Sequence, residues 1–252
     1  MPATLPTRVP RVEEALLAWF DDQGRDLPWR RTNDPYAVLV SEVMLQQTQV
    51  ERVVPRYVEW LERWPSAAAL AAAPPADVIR AWQGLGYNRR AVNLHRAAQH
   101  VAARGWPDDL TELPGVGRYT ADALARFAFG APVLPVDTNV RRVRERTGAT
   151  FGPACAHALM DLGATVCLAR VPRCGVCPLR ANCRSRGKRY PPLRKQGRFE
   201  GSFRQRRAHT LRLVAERPRQ LDALDADATD ALVRDGLVQV TAGTVSLPGE
   251  RS

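Results

Sequence analysis

The stretch Leu113-Pro-Gly-Val-Gly-Arg-Tyr-Thr-Ala-Asp-Ala-Leu124 is the main determinant of the fold. Apolar residues recur at helical spacing in the segments before and after this turn, and Pro114, Gly115 and Gly117 interrupt that pattern. Glycine lets a backbone turn tightly and approach a ligand closely. The helix that follows begins with free amide N–H groups and a positive dipole end, which favour a phosphate. The stretch therefore predicts two helices joined by a hairpin that holds a DNA backbone without reading its sequence.

The remainder of the chain predicts an all-α fold. With 252 residues and 45% hydrophobic content, the chain is long and apolar enough to fold around a core. Pro and Gly mark the joints between the helical segments, as at Pro74-Pro75 and Gly130–Pro135. The predicted helical segments are Val12–Phe20, Tyr36–Leu45, Val53–Trp64, Arg89–Ala103, Tyr119–Ala128, Asn139–Arg146 and Ala154–Val166.

The C-terminal part differs in pattern from the helical domain. We expect a domain at residues 1–190, a basic linker at 191–202 and a small tail at 203–252. Within the tail, Arg204–Ala215 and Leu221–Val233 predict short helices. The alternation around Ala242-Gly243 predicts a β-hairpin. This order of elements is similar to a minimal winged-helix domain.

The charge of the chain favours a polyanionic partner. Lys+Arg number 37 and Asp+Glu 26, which gives a net charge of +11. The alternative is a basic surface that contacts only solvent. One acidic residue accompanies a run of basic residues between positions 184 and 200, namely Arg184, Arg186, Lys188, Arg189, Arg194, Lys195 and Arg198. No signal peptide or membrane-spanning apolar run is found, so we expect a cytoplasmic protein. We also expect it to be monomeric and, because of its basic charge, associated with the nucleoid.

Four cysteines follow the spacing C-x6-C-x2-C-x5-C at Cys167, Cys174, Cys177 and Cys183. Disulfides are disfavoured because nothing marks the chain as secreted. A structural zinc ion accepts four thiolates, but zinc sites usually pair two short C-x2-C turns, and one is present here. The spacing favours a [4Fe–4S] cluster and leaves zinc as the alternative.

Two carboxylates are candidates for chemistry. Glu42 lies in an apolar segment, where burial favours the protonated form that a general acid needs, unless it lies on a solvated stripe. Asp137 precedes a predicted helix, where it can cap the helix and also stabilise positive charge in a reaction. The polar patch Gln46-Gln47-Thr48 follows Glu42 and can hydrogen-bond to base edges.

An aromatic residue lies among glycines and arginines in Gly84-Leu-Gly-Tyr-Asn-Arg-Arg90. Tyr87 is either a core aromatic or a residue that stacks on, or wedges between, nucleic-acid bases.

Together these residues resemble the endonuclease III superfamily of DNA glycosylases. The resemblance rests on the helix-hairpin-helix stretch, on Asp137 20 residues beyond Gly117, and on the cysteine spacing. Glu42 within Ser41-Glu-Val-Met-Leu-Gln-Gln-Thr48, together with Gly84-Leu-Gly-Tyr87, is similar to the MutY branch of adenine DNA glycosylases. The resemblance implies two helical lobes, one a six-helix barrel and the other built from both chain ends and carrying the cluster. It also implies that the target base is flipped between them.

The resemblance assigns catalytic roles to four residues. Glu42 would protonate the departing adenine and then help to position water, and Asp137 would stabilise the oxocarbenium-like sugar with help from Asn139. Tyr119 occupies the position of the Schiff-base lysine of lyase-competent relatives, so the resemblance implies a monofunctional glycosylase.

The resemblance also assigns binding residues. Gln47 and Tyr87 resemble intercalating residues, Arg30 a pocket residue, and Asp161 a structural or pocket-edge carboxylate. His157 lies where the branch commonly has Gln or Glu against the adenine. The rest of the implied DNA-contact set is Thr48, Leu85, Gly115 and Gly117. The cluster would shape a basic loop with Arg170, Arg173 and Arg180 rather than transfer electrons.

The implied substrate is duplex DNA in which adenine is mispaired with 8-oxoguanine or guanine. The sequence lacks a counterpart of the branch's Nudix-like C-terminal domain, and His157 departs from the usual residue. Such a change can alter substrate choice. Two alternatives therefore stay open, a glycosylase for T:G or U:G mispairs and a non-catalytic DNA-binding protein on the same scaffold.

Overall fold

The computed structural model of the protein describes residues 9–189 and 197–250. Within these ranges the fold is predominantly helical, as expected. The helices are α1 (Val9–Gln23), α2 (Pro35–Leu45), α3 (Val50–Arg63), α4 (Ala67–Ala71), α5 (Pro75–Ala81), α6 (Arg89–Arg104), α7 (Arg118–Phe127), α8 (Thr138–Thr147), α9 (Ala156–Asp161), α10 (Phe203–Glu216) and α11 (Ala226–Arg234). The strands are β1 (Arg219–Gln220), β2 (Gln239–Thr241) and β3 (Thr244–Ser246).

The helices predicted from apolar spacing are present, with ends displaced by a few residues. The sequence pattern missed α4 and α5, which are too short, at five and seven residues, for a clear periodicity. Pro75 begins α5, where its missing N–H removes no helical hydrogen bond. The segment expected to run to Val166 ends as a π-helical turn, Leu162–Val166. In the described ranges, no helix is long and apolar enough to span a bilayer.

The chain divides into two compact units. The first unit consists of the described residues up to 33 and of 118–189, and the second of 34–117 and 197–250. All four clustered cysteines belong to the first unit. As the resemblance implied, the unit that carries the cysteines joins the N-terminal and C-terminal parts of the domain expected at residues 1–190, whereas the tail belongs to the second unit. The expected linker at 191–202 is described only from residue 197 onward, and Arg194 and Lys195 lie outside the described residues.

The first unit is built around α1, α8 and α9. Val12 and Leu16 of α1 pack with Val140 and Val143 of α8. The cluster is completed by Phe151, Cys155, Ala158, Leu159, Leu162, Val166 and Leu179. Because this core includes Leu179 from the loop between the third and fourth clustered cysteines, it supports the chain on which those cysteines lie.

In the second unit, α2 is buried along all but its two end residues. Every residue from Tyr36 to Met44 is buried. Asp34 caps the helix by accepting hydrogen bonds from the backbone N–H groups of Tyr36 and Ala37. The hydroxyl of Tyr36 donates to the backbone oxygen of Trp64 at 2.9 Å, which ties α2 to the end of α3. A helix that is apolar on all faces is expected in a protein interior.

The tail packs on α5 within the second unit. Leu211 and Val214 of α10 share one core with Ala76 and Ile79 of α5. Strands β2 and β3 form the predicted hairpin, and β1 pairs with the other side of β3 in the antiparallel order β1-β3-β2. Ala242 and Gly243 both have positive φ, which is typical of a tight hairpin turn.

Candidate functional site

Glu42 is a carboxyl group in the buried helix α2. Its exposed fraction is 7%, which confirms the expected burial and excludes the solvated-stripe alternative. Its carboxyl group is therefore largely shielded from bulk solvent.

The chain leaves α2 through a strained turn. Gln47 has a φ of 56° although it is not a glycine, and it is exposed. Tyr87 in the Gly84–Tyr87 loop likewise has a φ of 46°, and 47% of it is exposed. Positive φ is costly for a side-chain-bearing residue and persists where surrounding contacts enforce it. Leu85 of the predicted DNA-contact set is instead buried at 4% exposure.

One buried arginine holds both of these turns. Nη1 of Arg90 donates to the backbone oxygens of Val43, Met44 and Gln46 at 2.7, 2.9 and 2.7 Å. Its Nη2 donates to the backbone oxygen of Gly86 at 2.9 Å and to Oγ1 of Thr48 at 3.0 Å. The end of α2 and the Gly84–Tyr87 loop are thus joined through one guanidinium group.

Burial lowers the pKa of Arg90 to about 10, and the nearby Tyr87 opposes this change. The guanidinium therefore stays protonated at neutral pH. The sequence pattern showed Arg90 only as one of the basic residues that follow Tyr87 and gave it no role. Its burial, at 8% exposure, and its contacts show that it serves the fold. The signal that could have found it is its position at the start of a helix directly after two glycine turns.

The hairpin Leu113–Gly117 uses its two glycines differently. Gly115 has a φ of 80°, and a Cβ there would lie 2.8 Å from Cβ of Asn93, so glycine is required. Gly117 does not have a positive φ, and no atom lies within 4 Å of the position that a Cβ would take, so its backbone is open to approach. Helix α7 begins directly after it at Arg118, with Tyr119 as its second residue.

Asp137 caps α8, as expected. Its Oδ1 accepts a hydrogen bond from the backbone N–H of Val140 at 2.6 Å. Its Oδ2 accepts one from Nδ2 of Asn139 at 2.9 Å. Both carboxylate oxygens are therefore fixed in direction by residues of the same helix turn.

A second arginine fixes Asn139 in turn. Nη2 of Arg142 donates to Oδ1 of Asn139 at 2.7 Å and to the backbone oxygen of Gly163 at 2.6 Å. Its Nε donates to the backbone oxygen of Cys167 at 2.8 Å. A Cβ on Gly163 would lie 2.5 Å from Cβ of Asn139, so only glycine permits this approach. No sequence pattern indicated Arg142 or Gly163, because the contacts of Arg142 with Gly163 and Cys167 join residues 21 and 25 positions apart.

Asp161 is a fully buried carboxylate held by two arginines. Arg30 donates to it through Nη1 and Nη2 at 2.9 and 2.7 Å. Arg25 donates through its backbone N–H at 2.8 Å and through its side chain. Burial alone would raise the pKa of Asp161, but these hydrogen bonds lower it below its ordinary value. The contacts favour the structural role among those that the sequence suggested, and they also determine the position of Arg30.

His157 lies between two phenylalanine rings. Its ring is 4.2 Å from that of Phe127 at an interplanar angle of 15°, and 6.5 Å from that of Phe20. Burial and the charge of Arg30 lower the pKa of His157 to about 4. The imidazole is therefore neutral at physiological pH.

The four spaced cysteines line one cavity in the first unit. Cys167, Cys174, Cys177 and Cys183 border it together with Arg146, and all four are free thiols. Nη1 of Arg146 lies 3.5 Å from Sγ of Cys167. The backbone N–H of Gly187 lies 3.5 Å from Sγ of Cys174.

Four thiol donors facing a common cavity, with N–H groups aimed at two of the sulfurs, fit the ligand set of a [4Fe–4S] cluster. In the described residues, no group of three or more His, Cys, Asp or Glu side chains surrounds the position of a single metal ion.

The chain is similar to known DNA repair proteins. The family model of the HhH-GPD superfamily base excision DNA repair protein matches residues 40–154. The adenine DNA glycosylase of Mycolicibacterium smegmatis is 43% identical, over 93% of this chain and 95% of that protein. The adenine DNA glycosylase of Homo sapiens is 39% identical over 68% of this chain and 39% of that protein.

Solved structures share the fold. A thermostable thymine-DNA glycosylase aligns with a TM-score of 0.63 at 26% identity, over 69% of this chain and 96% of that one. Endonuclease III trapped in a covalent complex with DNA aligns with a TM-score of 0.61 at 24% identity, over 69% of this chain and 93% of that one.

Proposed function

The chain belongs to the adenine DNA glycosylase family within the helix-hairpin-helix base-excision repair proteins, and we therefore propose that it hydrolyses the N-glycosidic bond of adenine in duplex DNA. The observation that carries the proposal is the environment of Asp137. A carboxylate with both oxygens fixed at a helix start is suited to stabilise a cationic sugar, because its charge needs no rearrangement during the reaction.

Glu42 acts as the general acid in this proposal. It protonates the departing adenine, so that the base leaves as a neutral molecule, and it then helps to position the attacking water. Its burial in α2 supports the role. Removing a positioned acid typically costs about 10²–10⁴-fold in rate.

The reaction ends with an intact strand that carries an abasic site. Tyr119 stands at the start of α7 in place of an amine. A phenol cannot form an imine with the sugar aldehyde, so strand cleavage by β-elimination through an imine does not follow. The protein is thus a monofunctional glycosylase.

The four cysteines would hold a [4Fe–4S] cluster, which would cross-link residues 167–183 and would take no part in hydrolysis. Arg170, Arg173 and Arg180, on the loop ordered in this way, would meet DNA phosphates. Iron and acid-labile sulfide in anaerobically purified protein support this assignment, and a zinc-containing, colourless protein contradicts it.

The substrate is duplex DNA in which adenine lies opposite 8-oxoguanine or guanine. Gln47 and Tyr87, exposed on their turns, enter the base stack beside the target base. The charge of +11 supports binding to the phosphate backbone. Arg30 and His157 contribute to the surroundings of the base.

The test is a single-turnover excision assay on duplexes with A:8-oxoguanine, A:G, T:G and U:G pairs, each split into samples with and without alkali. We expect strand breaks in the adenine-containing strands after alkali treatment and intact strands without it.

Excision of thymine or uracil in place of adenine would contradict the substrate. Breaks without alkali would contradict monofunctional chemistry. Tight binding to all four duplexes without excision would identify a non-catalytic DNA-binding protein.

A further inference from the structure

Helix α10 of the tail has two opposite faces. Leu211 and Val214 lie in the core that the tail shares with α5. The stripe Gln205, Ala208, His209 and Arg212 follows the spacing i, i+3, i+4, i+7 and is exposed. An exposed polar stripe alone predicts only a solvated surface.

This stripe borders an open groove of about 510 Å³. Two of its other borders come from elsewhere in the second unit, Phe199 and Gln83. Phe199 is 46% exposed, which is unusual for a large apolar side chain, and the guanidinium of Arg204 lies 6.0 Å from its ring. The groove therefore combines cations with an aromatic face.

Gln83 supplies an independent observation. Its Nε2 is buried and has no hydrogen-bond partner among the residues that the structure describes. A buried donor without an acceptor costs about 1–3 kcal/mol. An acceptor oxygen from a bound molecule would satisfy it.

The charges that face the groove leave one arginine uncompensated. Arg206 is paired with Asp225 at 2.9 Å and with Asp227 at 3.6 Å. Arg212 has no ion pair within the described ranges, and its Nη2 lies 3.0 Å from Nδ1 of His209. The groove thus offers a cation and amide donors, with no carboxylate among the described residues that line it.

The groove also adjoins the predicted DNA-contacting loop. Gln83 directly precedes Gly84, where the loop that carries Tyr87 begins. Because Gln83 is joined directly to the loop that carries Tyr87, a DNA strand whose bases contact Tyr87 would also have its backbone close to Gln83. Backbone phosphates combine negative charge with acceptor oxygens, which is the chemistry that Arg212 and Gln83 lack in the free protein.

We propose that this groove is a second DNA contact, in which the tail binds the sugar–phosphate backbone of the substrate duplex. Arg212 pairs with a phosphate, Nε2 of Gln83 donates to a backbone oxygen, and Phe199 packs against a sugar or a base. The inference rests on the proposed function, because it assigns the tail a role in binding the same DNA.

The test measures fluorescence anisotropy of a labelled A:G duplex with the full chain, from about 50 to 200 mM salt. For Arg212→Ala we expect affinity to fall about three- to tenfold at low salt. The slope of log K against log salt should become shallower by about 0.9, the value for one lost phosphate contact. Arg217→Ala is the matched control, because Arg217 is exposed at the end of the same helix and does not line the groove.

Gln83→Met separates DNA binding from folding. It removes the unpartnered donor at similar size, so the melting temperature should stay unchanged or rise. DNA affinity should nevertheless fall about threefold or more, and Gln83→Glu should lower it further by repelling phosphate.

The inference is overturned if Arg212→Ala and Gln83→Met match the wild type and Arg217→Ala in affinity and salt slope. Adenine excision by the wild type would then leave the proposed function intact. Loss of excision in the wild type itself would remove the proposed function instead.

Discussion

Arg90 in the second unit is buried, and Arg142 in the first unit is half-buried. Both guanidinium groups donate mainly to backbone oxygens, but they hold different parts of the protein in place. Arg90 joins the end of α2 to the Gly84–Tyr87 loop. Arg142 joins Asn139, and through it Asp137, to the backbone oxygens of Gly163 and Cys167. In one unit an arginine fixes turns that are proposed to meet DNA. In the other it fixes a carboxylate that is proposed to meet the sugar.

The two arginines illustrate how a small helical protein positions polar chemistry. Burial lowers the pKa of both guanidinium groups, yet each keeps several carbonyl acceptors. Because a planar guanidinium offers five donors in fixed directions, it can tie together segments that are remote in sequence. Breaking either set of contacts should therefore affect a different property of the protein.

The largest effect is expected from Arg90→Met. It leaves the backbone oxygens of Val43, Met44 and Gln46 without their donor, and we expect the free energy of unfolding to fall by about 3–5 kcal/mol. Chemical denaturation measures this loss. The control is Arg89→Met, since Arg89 is exposed and its ion pair with Asp235 is long, at 3.7 Å. It should change stability by about 0.5 kcal/mol or less. Equal losses in both variants would show that Arg90 does not hold the turns.

Arg142→Met should act on the reaction more than on DNA binding. Asn139 loses the donor that fixes its side chain, so we expect the single-turnover rate to fall about 10–100-fold. The dissociation constant for DNA should stay within about threefold. Arg141→Met is the matched control, because Arg141 is the exposed neighbour on the same helix. If Arg142→Met lowered DNA affinity but left the single-turnover rate at saturating protein unchanged, Arg142 would not act on the reaction as proposed.

His157→Gln should make the protein less sensitive to acid. The pKa of His157 is about 4 in the folded protein, against an ordinary 6.5, because of burial and of Arg30. The unfolded chain therefore binds more protons between these values, and stability falls as pH falls through this window. At pH 5 the histidine should cost about 2 kcal/mol relative to pH 8. Thermal melts of both proteins at the two pH values measure the difference. An identical loss in the variant would show that His157 is not buried as a neutral ring.

The smallest effects separate the two hairpin glycines. In Gly115→Ala the added Cβ would clash with Asn93, and alanine would have to adopt a positive φ. We therefore expect the free energy of unfolding to fall by about 1–3 kcal/mol. In Gly117→Ala the added Cβ would have no neighbouring atom within 4 Å, and the φ of this residue is not positive. The free energy of unfolding should therefore stay within about 0.5 kcal/mol of the wild type. DNA affinity should fall for Gly117→Ala because the added methyl group lies where the backbone would approach a phosphate. A stable Gly117→Ala protein with unchanged affinity would place the phosphate contact elsewhere.

The long helices, the hairpin glycines and the cap at Asp137 could be predicted from the sequence, because each depends on residues near it in the chain. The burial of Glu42 could likewise be expected from the apolar run around it. The contacts of Arg90, Arg142 and Asp161 could not be predicted, since their partners lie up to 136 residues away. The packing of the tail on α5 was missed for the same reason. Leu85 was assigned to the DNA contact by its neighbours, whereas its side chain is buried.

Two carboxylates, Glu42 and Asp137, perform the chemistry in the proposed reaction. The decisive measurement is the single-turnover excision rate of Glu42→Gln and Asp137→Asn at saturating protein on an A:8-oxoguanine duplex, with affinity measured in parallel. The control is Asp225→Asn, because Asp225 also caps a helix, accepting from the N–H of Ala228 at 2.8 Å. We expect a loss of about 10²–10⁴-fold in rate for the first two variants, affinity within about threefold, and no rate change for the control. Rates within about tenfold of the wild type for either carboxylate variant would contradict the proposed roles.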